Sequence, residues 1–329
     1  MSGSNKKLIR QVLAEFIGMT LFVYVGTGYV DTLFVATTCG LACNLTFLFV
    51  IDAPNRSAVS TGEQLASSAA PTAASVARVL PISFAFGMSI LVQAYSFGHV
   101  SGGHFNPAVT YCLFLVGECE MMQALLYVVA QFGGATFASL LLWGSVSDMN
   151  DGRQEVIEQV IGNPPFGLGA NGLNPALSSG NGFLLEFMGT LVLCVTVLMT
   201  CLHKKGLAQG SPNLAPLAIG FAVFLAHVVL VPLTGCGINP ARTFGPAAVN
   251  TIAGANVWED NYWIYFVGPF TASMVAAVIF HGMANLDEAK ADDESAASVD
   301  NKKRRCSTID MDVLQDRLSE QKESFVSQP

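Results

Sequence analysis

Charge is scarce in this chain of 329 residues. Asp, Glu, Lys and Arg make up 12% of it and hydrophobic residues 52%, against about 25% charged in a soluble domain. So few charges cannot cover a water-facing surface, and the chain belongs in a bilayer. The formal net charge of −8 does not change this, because the residues from Asn285 onward hold eleven Asp or Glu against seven Lys or Arg. Acidity is therefore a property of the tail, and no nucleic-acid partner follows from it. Cysteine is present but unpatterned: the eight (39, 43, 112, 119, 194, 201, 236 and 306) include no C-x-x-C pair, so neither a zinc site nor a disulfide framework is legible. Cys39 and Cys43 are spaced for a cross-link or stand as free thiols. With no nucleophile and base pair and no metal-ligating cluster, neither an enzyme nor a cofactor is expected.

What the chain does have is a near repeat. Gly235 to Pro246 reads GCGINPARTFGP, and Gly102 to Val109 reads GGHFNPAV. In each Asn-Pro-Ala triplet, Asn106 before Pro107 and Ala108, and Asn239 before Pro240 and Ala241, the proline suits the first position of a helix and the asparagine its cap. The apolar runs that follow, 108–116 and 243–252, are each about ten residues, whereas crossing a bilayer takes roughly 20. They are half-spans.

These two boxes, Arg242 directly after the second, and the paired starts at Glu15 and Glu186 give residues 8–285 a resemblance to the aquaporins, or major intrinsic proteins. The resemblance implies an all-α membrane protein with six transmembrane helices and two re-entrant half-helices in an inverted repeat. It further implies two half-helix N-termini meeting at mid-membrane, one pore per subunit and a homotetramer.

In chain order, Lys6, Lys7 and Arg10 precede an apolar run over 12–35, too long for the core of a cleaved signal peptide. Further spans are expected over 80–97, 123–143, 183–201, 214–233 and 262–283. The division is a cytoplasmic N-terminus (1–10), a channel domain (11–284) with repeats of about 11–143 and 183–284, and a cytoplasmic acidic tail (285–329). On this topology twelve Lys and Arg lie inside, three outside (Arg56, Arg78 and Arg153), and Arg242 lies within the membrane, as the positive-inside rule requires. The plasma membrane is the expected location. Glu15 and Glu186 are intramembrane carboxylates, expensive enough to need a purpose. They either relay protons or accept hydrogen bonds from the N–H groups of a re-entrant loop that has no water to satisfy it; the second reading is favoured. The first half carries an insertion, read as a long outer loop over 36–77, with N-glycosylation sequons at Asn44 and Asn55.

Two half-helix N-termini at the bilayer centre would each bring about half a positive charge, and the Asn106 and Asn239 amides would add donors that orient a passing water through its oxygen. Cations are disfavoured there. By resemblance to the family's constriction, Phe86, His227, Cys236 and Arg242 match its four positions. The backbone of Gly102, Gly103 and His104 on one side, and of Gly235, Cys236 and Gly237 on the other, is the expected acceptor ladder; His104 lines the vestibule or packs its loop. The function expected is a passive water channel excluding protons and ions, with water as permeant and lipid around it. A facilitator of small neutral solutes such as glycerol or urea, or a non-conducting adhesion or scaffold protein on the same fold, are the alternatives. In the tail, Arg304 and Arg305 precede Ser307 as a basophilic kinase would recognise. Phosphorylated Ser307 would cap an amphipathic helix over 309–325 that docks a trafficking partner; an acidic tail without structure is the alternative.

Overall fold

In the computed structural model, residues 3–38, 73–146, 167–203 and 214–283, together with Gln315, are described. Eight helices account for most of them: α1 (Gly3–Thr38), α2 (Ala73–Ser101), α3 (Pro107–Leu115), α4 (Met121–Val146), α5 (Ser179–Cys201), α6 (Ala215–Thr234), α7 (Pro240–Ile252) and α8 (Ile264–Met283). Six of these are long and apolar enough to cross a bilayer, and α3 and α7, of 9 and 13 residues, are not. The first four long helices overrun the expected spans, whereas α6 and α8 match theirs to within two residues. In particular α1 reaches Thr38 and α2 starts at Ala73, so the outer loop read over 36–77 gives up both its edges to helix; likewise α4 runs to Val146 and α5 begins at Ser179. Small polar residues at those ends complete helical turns that hydropathy alone does not mark. Asn44, Asn55, Cys39, Cys43 and Ser307, with the acidic tail around it, lie outside the described residues.

Residues 1–278 form one compact unit; of a second, from Ile279 on, the end of α8 and Gln315 are described. Within the first unit α1 packs on α2 and α4, α5 on α6, and α2 on α6. The α2–α6 crossing is close because Gly87 and Gly220 face each other: a Cβ on Gly87 would meet Gly220 O at 2.8 Å, and one on Gly220 would meet Gly87 O at 2.9 Å. Gly134 does the same for α4 on α1, where a Cβ would meet Phe16 O at 2.6 Å. Large apolar side chains such as Val129, Leu225 and Val278 point outward and are exposed, the pattern of a surface solvated by hydrocarbon. The short helices touch α4, α5 and one another, so each half-span is buried in protein. That is the condition under which irregular backbone is tolerated at membrane depth.

Candidate functional site

Both short helices start as the Asn-Pro pairing predicts. Asn106 (φ −162°, ψ 121°) and Asn239 (φ −151°, ψ 105°) are extended N-caps. Asn106 Oδ1 accepts from Ala108 N at 2.8 Å, and Asn239 Oδ1 from Ala241 N at 3.1 Å and Arg242 N at 3.2 Å. The two amides also reach across: Asn106 Nδ2 donates to Ile238 O at 2.9 Å and Asn239 Nδ2 to Phe105 O at 2.8 Å. The N-terminal ends of α3 and α7 are thus laced together. Each amide nitrogen carries two hydrogens, so one per asparagine remains for whatever passes.

The backbone ahead of each cap is strained. Phe105 and Ile238 both sit at φ 44°, a left-handed conformation that costs a bulky residue about 1–3 kcal/mol. Two buried carboxylates hold it. Glu15 accepts from Ser101 Oγ at 2.7 Å, His104 N at 2.9 Å, Phe105 N at 2.8 Å and Gln131 Nε2 at 2.8 Å. Glu186 accepts from Thr234 Oγ1 at 2.6 Å, Gly237 N at 2.9 Å and Ile238 N at 2.6 Å. In both cases the acceptor role is the one filled: every bond made to these carboxylates comes from a loop donor or from the helix beside it.

A cavity of about 50 Å³ runs past these elements, room for roughly three to five waters at ~10–15 Å³ each. Its walls include Gly102, Gly103, His104, Asn106, Asn239, His227, Gly237 and Arg242, with apolar Val109, Leu193 and Val197. Arg242 is buried. Its Nη1 donates to Gly169 O at 2.8 Å and Asn171 Oδ1 at 2.9 Å, and Thr243 Oγ1 donates to the same Asn171 oxygen at 2.9 Å. His227 Nδ1 lies 2.8 Å from Val223 O; a carbonyl only accepts, so Nδ1 carries the proton and Nε2 is an acceptor. His227 Nε2 and Arg242 Nε have no partner among the described residues.

Of the four positions matched to the constriction, three come together. Phe86 stacks on His227 with ring centroids 4.3 Å apart at 22°, and the Arg242 guanidinium carbon lies 4.8 Å from the Phe86 centroid. The cavity wall itself takes in His227 and Arg242 but not Phe86 or Cys236, both fully buried. Phe86 is turned onto Phe22 and the space left by Gly26, where a Cβ would meet its ring at 2.5 Å. Cys236, at φ 56°, is tied through its N–H to Thr234 Oγ1 at 3.2 Å. Gly235 is also outside the wall, since it serves as the left-handed C-cap of α6. The acceptor ladder expected on that side therefore reduces, in this cavity, to Gly237.

Several supporting residues escaped the sequence reading: Ser101, Thr234, Gln131, Asn171 and Tyr127, whose hydroxyl donates to Ser101 O at 2.8 Å; Tyr265, which resembles the family's water-conducting branch, has its hydroxyl donate likewise to Thr234 O at 2.7 Å. Tyr127 was legible in principle, as an aromatic hydroxyl in an otherwise apolar span. Asn171 had no signal, being one asparagine in a loop rich in them.

The chain is similar to known proteins. The sequence profile of the major intrinsic protein family matches residues 2–280. Aquaporin-1 of Sus scrofa is 35% identical over 282 residues, 85% of this chain and 84% of that protein. Aquaporin PIP2-5 of Oryza sativa subsp. japonica is 37% identical over 272 residues, 82% and 81%. The X-ray structure of the aquaglyceroporin from Plasmodium falciparum superposes with a TM-score of 0.60 at 18% identity, covering 83% of this chain and 95% of that one; at that identity the likeness speaks for the fold alone.

Proposed function

This chain belongs to the major intrinsic protein family, a premise from which we propose that it is a passive, multi-pass water channel rather than an enzyme. The observation that carries the reading is a cavity of water-file dimensions walled by Asn106, Asn239, His227 and Arg242, the last two each holding a side-chain nitrogen (His227 Nε2, Arg242 Nε) without a protein partner among the described residues. Buried polar groups are usually paired; Gln131 Oε1, Asn171 Nδ2, Asn250 Oδ1 and Asn261 Oδ1 also lack a partner among the described residues, but of these six residues His227 and Arg242 alone line the cavity, where a small polar permeant supplies what they lack. One water can donate to His227 Nε2 and accept from Arg242 while the file moves past.

In this reading Arg242 and His227 face the file, with Phe86 stacked behind the imidazole and Cys236 buried beyond the wall. Arg242 repels cations, and the imidazole, held in place by Phe86, removes the width that glycerol needs. At the centre, the spare N–H of Asn106 and of Asn239 and the positive ends of α3 and α7 orient water through its oxygen. This opposes a continuous proton wire. Glu15 and Glu186 brace the loops instead of relaying protons.

The same proposal places both termini in the cytoplasm, on the strength of the Lys and Arg distribution, and the channel in the plasma membrane as a homotetramer, following the family resemblance. Modification of Asn44, Asn55 or Ser307, and a kinase or trafficking partner for the tail, rest on sequence motifs alone. Stopped-flow light scattering of proteoliposomes decides the main point. Rapid osmotic shrinkage with glycerol excluded is expected. Rapid glycerol entry would make it a solute facilitator, and absence of both fluxes would leave a non-conducting scaffold.

A further inference from the structure

His104 lines the cavity on the α3 side of the asparagine pair, and its Nδ1 lies 3.2 Å from Thr110 Oγ1. Distance alone does not say which of the two donates. The surrounding bonds do. Gln131 Nε2 lies 2.8 Å from Glu15 Oε2 and 3.0 Å from Thr110 Oγ1. A carboxylate oxygen accepts, which fixes Gln131 to present its NH2 group to both partners. Thr110 Oγ1 therefore receives an N–H from Gln131. Thr110 is fully buried, and among the described residues its hydroxyl oxygen has no partners other than Gln131 and His104. Many threonines in these helices return their hydroxyl hydrogen to the carbonyl four residues back, as Thr20, Thr27 and Thr190 do at 2.7, 2.7 and 2.8 Å. Thr110 makes no such bond, so His104 Nδ1 is where its hydrogen goes.

We propose that Gln131 and Thr110 are positioning residues that hold His104 in the tautomer protonated on Nε2, so that this histidine offers the water file a donor. The polarity runs Glu15, Gln131, Thr110, His104: each group's donor is set by the acceptor before it. Nε2 already carries a hydrogen and the Nδ1 lone pair accepts the Thr110 hydroxyl, so His104 cannot take up a proton without first breaking this chain. His227 is held the other way round, with Nδ1–H on Val223 O and a bare Nε2. The two cavity histidines thus present opposite faces to water, a donor at His104 and an acceptor at His227. The second repeat has no counterpart, since Gly237 stands where His104 would be and Thr243 is engaged by Asn171.

The functional meaning of the tautomer rests on the water-channel reading, but its test does not. The channel is labelled with 15N-histidine, reconstituted in lipid, and read by solid-state NMR at a pH where the rings are neutral. Assignment uses His104→Gln and His227→Gln. The native channel should show a protonated Nε2 and an unprotonated Nδ1 for His104, and the reverse for His227. Thr110→Val keeps the side-chain volume and removes the donor; it should move the His104 tautomer ratio toward Nδ1–H by about fivefold, the worth of one hydrogen bond. Thr110→Ser should restore the native signature. A native His104 protonated on Nδ1, or a Thr110→Val channel with the native ratio, overturns the proposal. Osmotic flux measured on the same vesicles reports separately on whether water is the permeant.

Discussion

The loop ahead of α3 and the loop ahead of α7 share one skeleton. Each has a carboxylate from the first helix of its repeat, a hydroxyl at the end of the second (Ser101 or Thr234), two backbone N–H groups, a residue at φ 44°, and an asparagine cap reaching into the other loop. A tyrosine hydroxyl finishes both. They differ in what stands around that skeleton. Three residues after the asparagine the first loop has Val109 and the second Arg242; two residues before it, His104 and Gly237. The glycine is forced, because a Cβ there would meet Tyr265 Cδ1 at 2.7 Å and Glu186 Oε2 at 2.9 Å. Glu15 has a fourth donor in Gln131, four residues after Tyr127, and at the matching distance after Tyr265 stands Pro269, which has no side-chain donor. The shared atoms hold strained backbone without water; of the differing ones, Gln131 adds a brace to the first loop and His104, Val109, Gly237 and Arg242 meet the lumen. Support is thus nearly symmetric, and chemistry is not.

The most damaging way to test this is to remove a shared atom. Glu186→Ala leaves the N–H groups of Gly237 and Ile238 and the Thr234 hydroxyl without their acceptor, at about 1–3 kcal/mol each. Loss of folded protein, seen as a collapsed thermal-unfolding midpoint in detergent, is expected, and Glu15→Ala should behave alike. A stable, conducting Glu186→Ala channel would show that the carboxylates are not braces.

Replacing a differing atom should spare the fold. Arg242→Val makes the second loop resemble the first. A monovalent cation ~4 Å from the guanidinium meets about 4 kcal/mol of repulsion at an effective dielectric of about 20, so cation leak should rise by at least about tenfold while water flux survives. Combining it with His227→Gly should admit glycerol. Electrophysiology and glycerol uptake read the two.

Asn171 holds Arg242 and Thr243 through one oxygen. Asn171→Ala leaves Arg242 its bond to Gly169 O, so discrimination of water against glycerol should weaken only about fivefold, one hydrogen bond's worth. The smallest effect is expected from Gln131→Leu, which gives Glu15 the three-donor set of Glu186; about 1 kcal/mol of stability should go, readable as a small downward shift of the melting midpoint. A loss as large as that of Glu15→Ala would mean the repeats are braced differently.

Much of this was legible before any contact was known, and the reason is locality. The six spans follow from hydropathy, and the short helices from Asn-Pro at their starts, because capping and the missing proline N–H act within a few residues. Glu15 and Glu186 stood out because an intramembrane carboxylate demands a partner, and a loop donor was the natural one. Only the tertiary structure decided which atoms meet, some across as many as 134 residues of chain: the crossing of the asparagine amides, the Asn171 tether on Arg242, the orientation that Gln131 and Thr110 impose on His104, and the withdrawal of Phe86 and Cys236 from the cavity wall. Those depend on how far apart glycine contacts let the helices pack and on which way a ring turns, and a chain's local pattern carries neither.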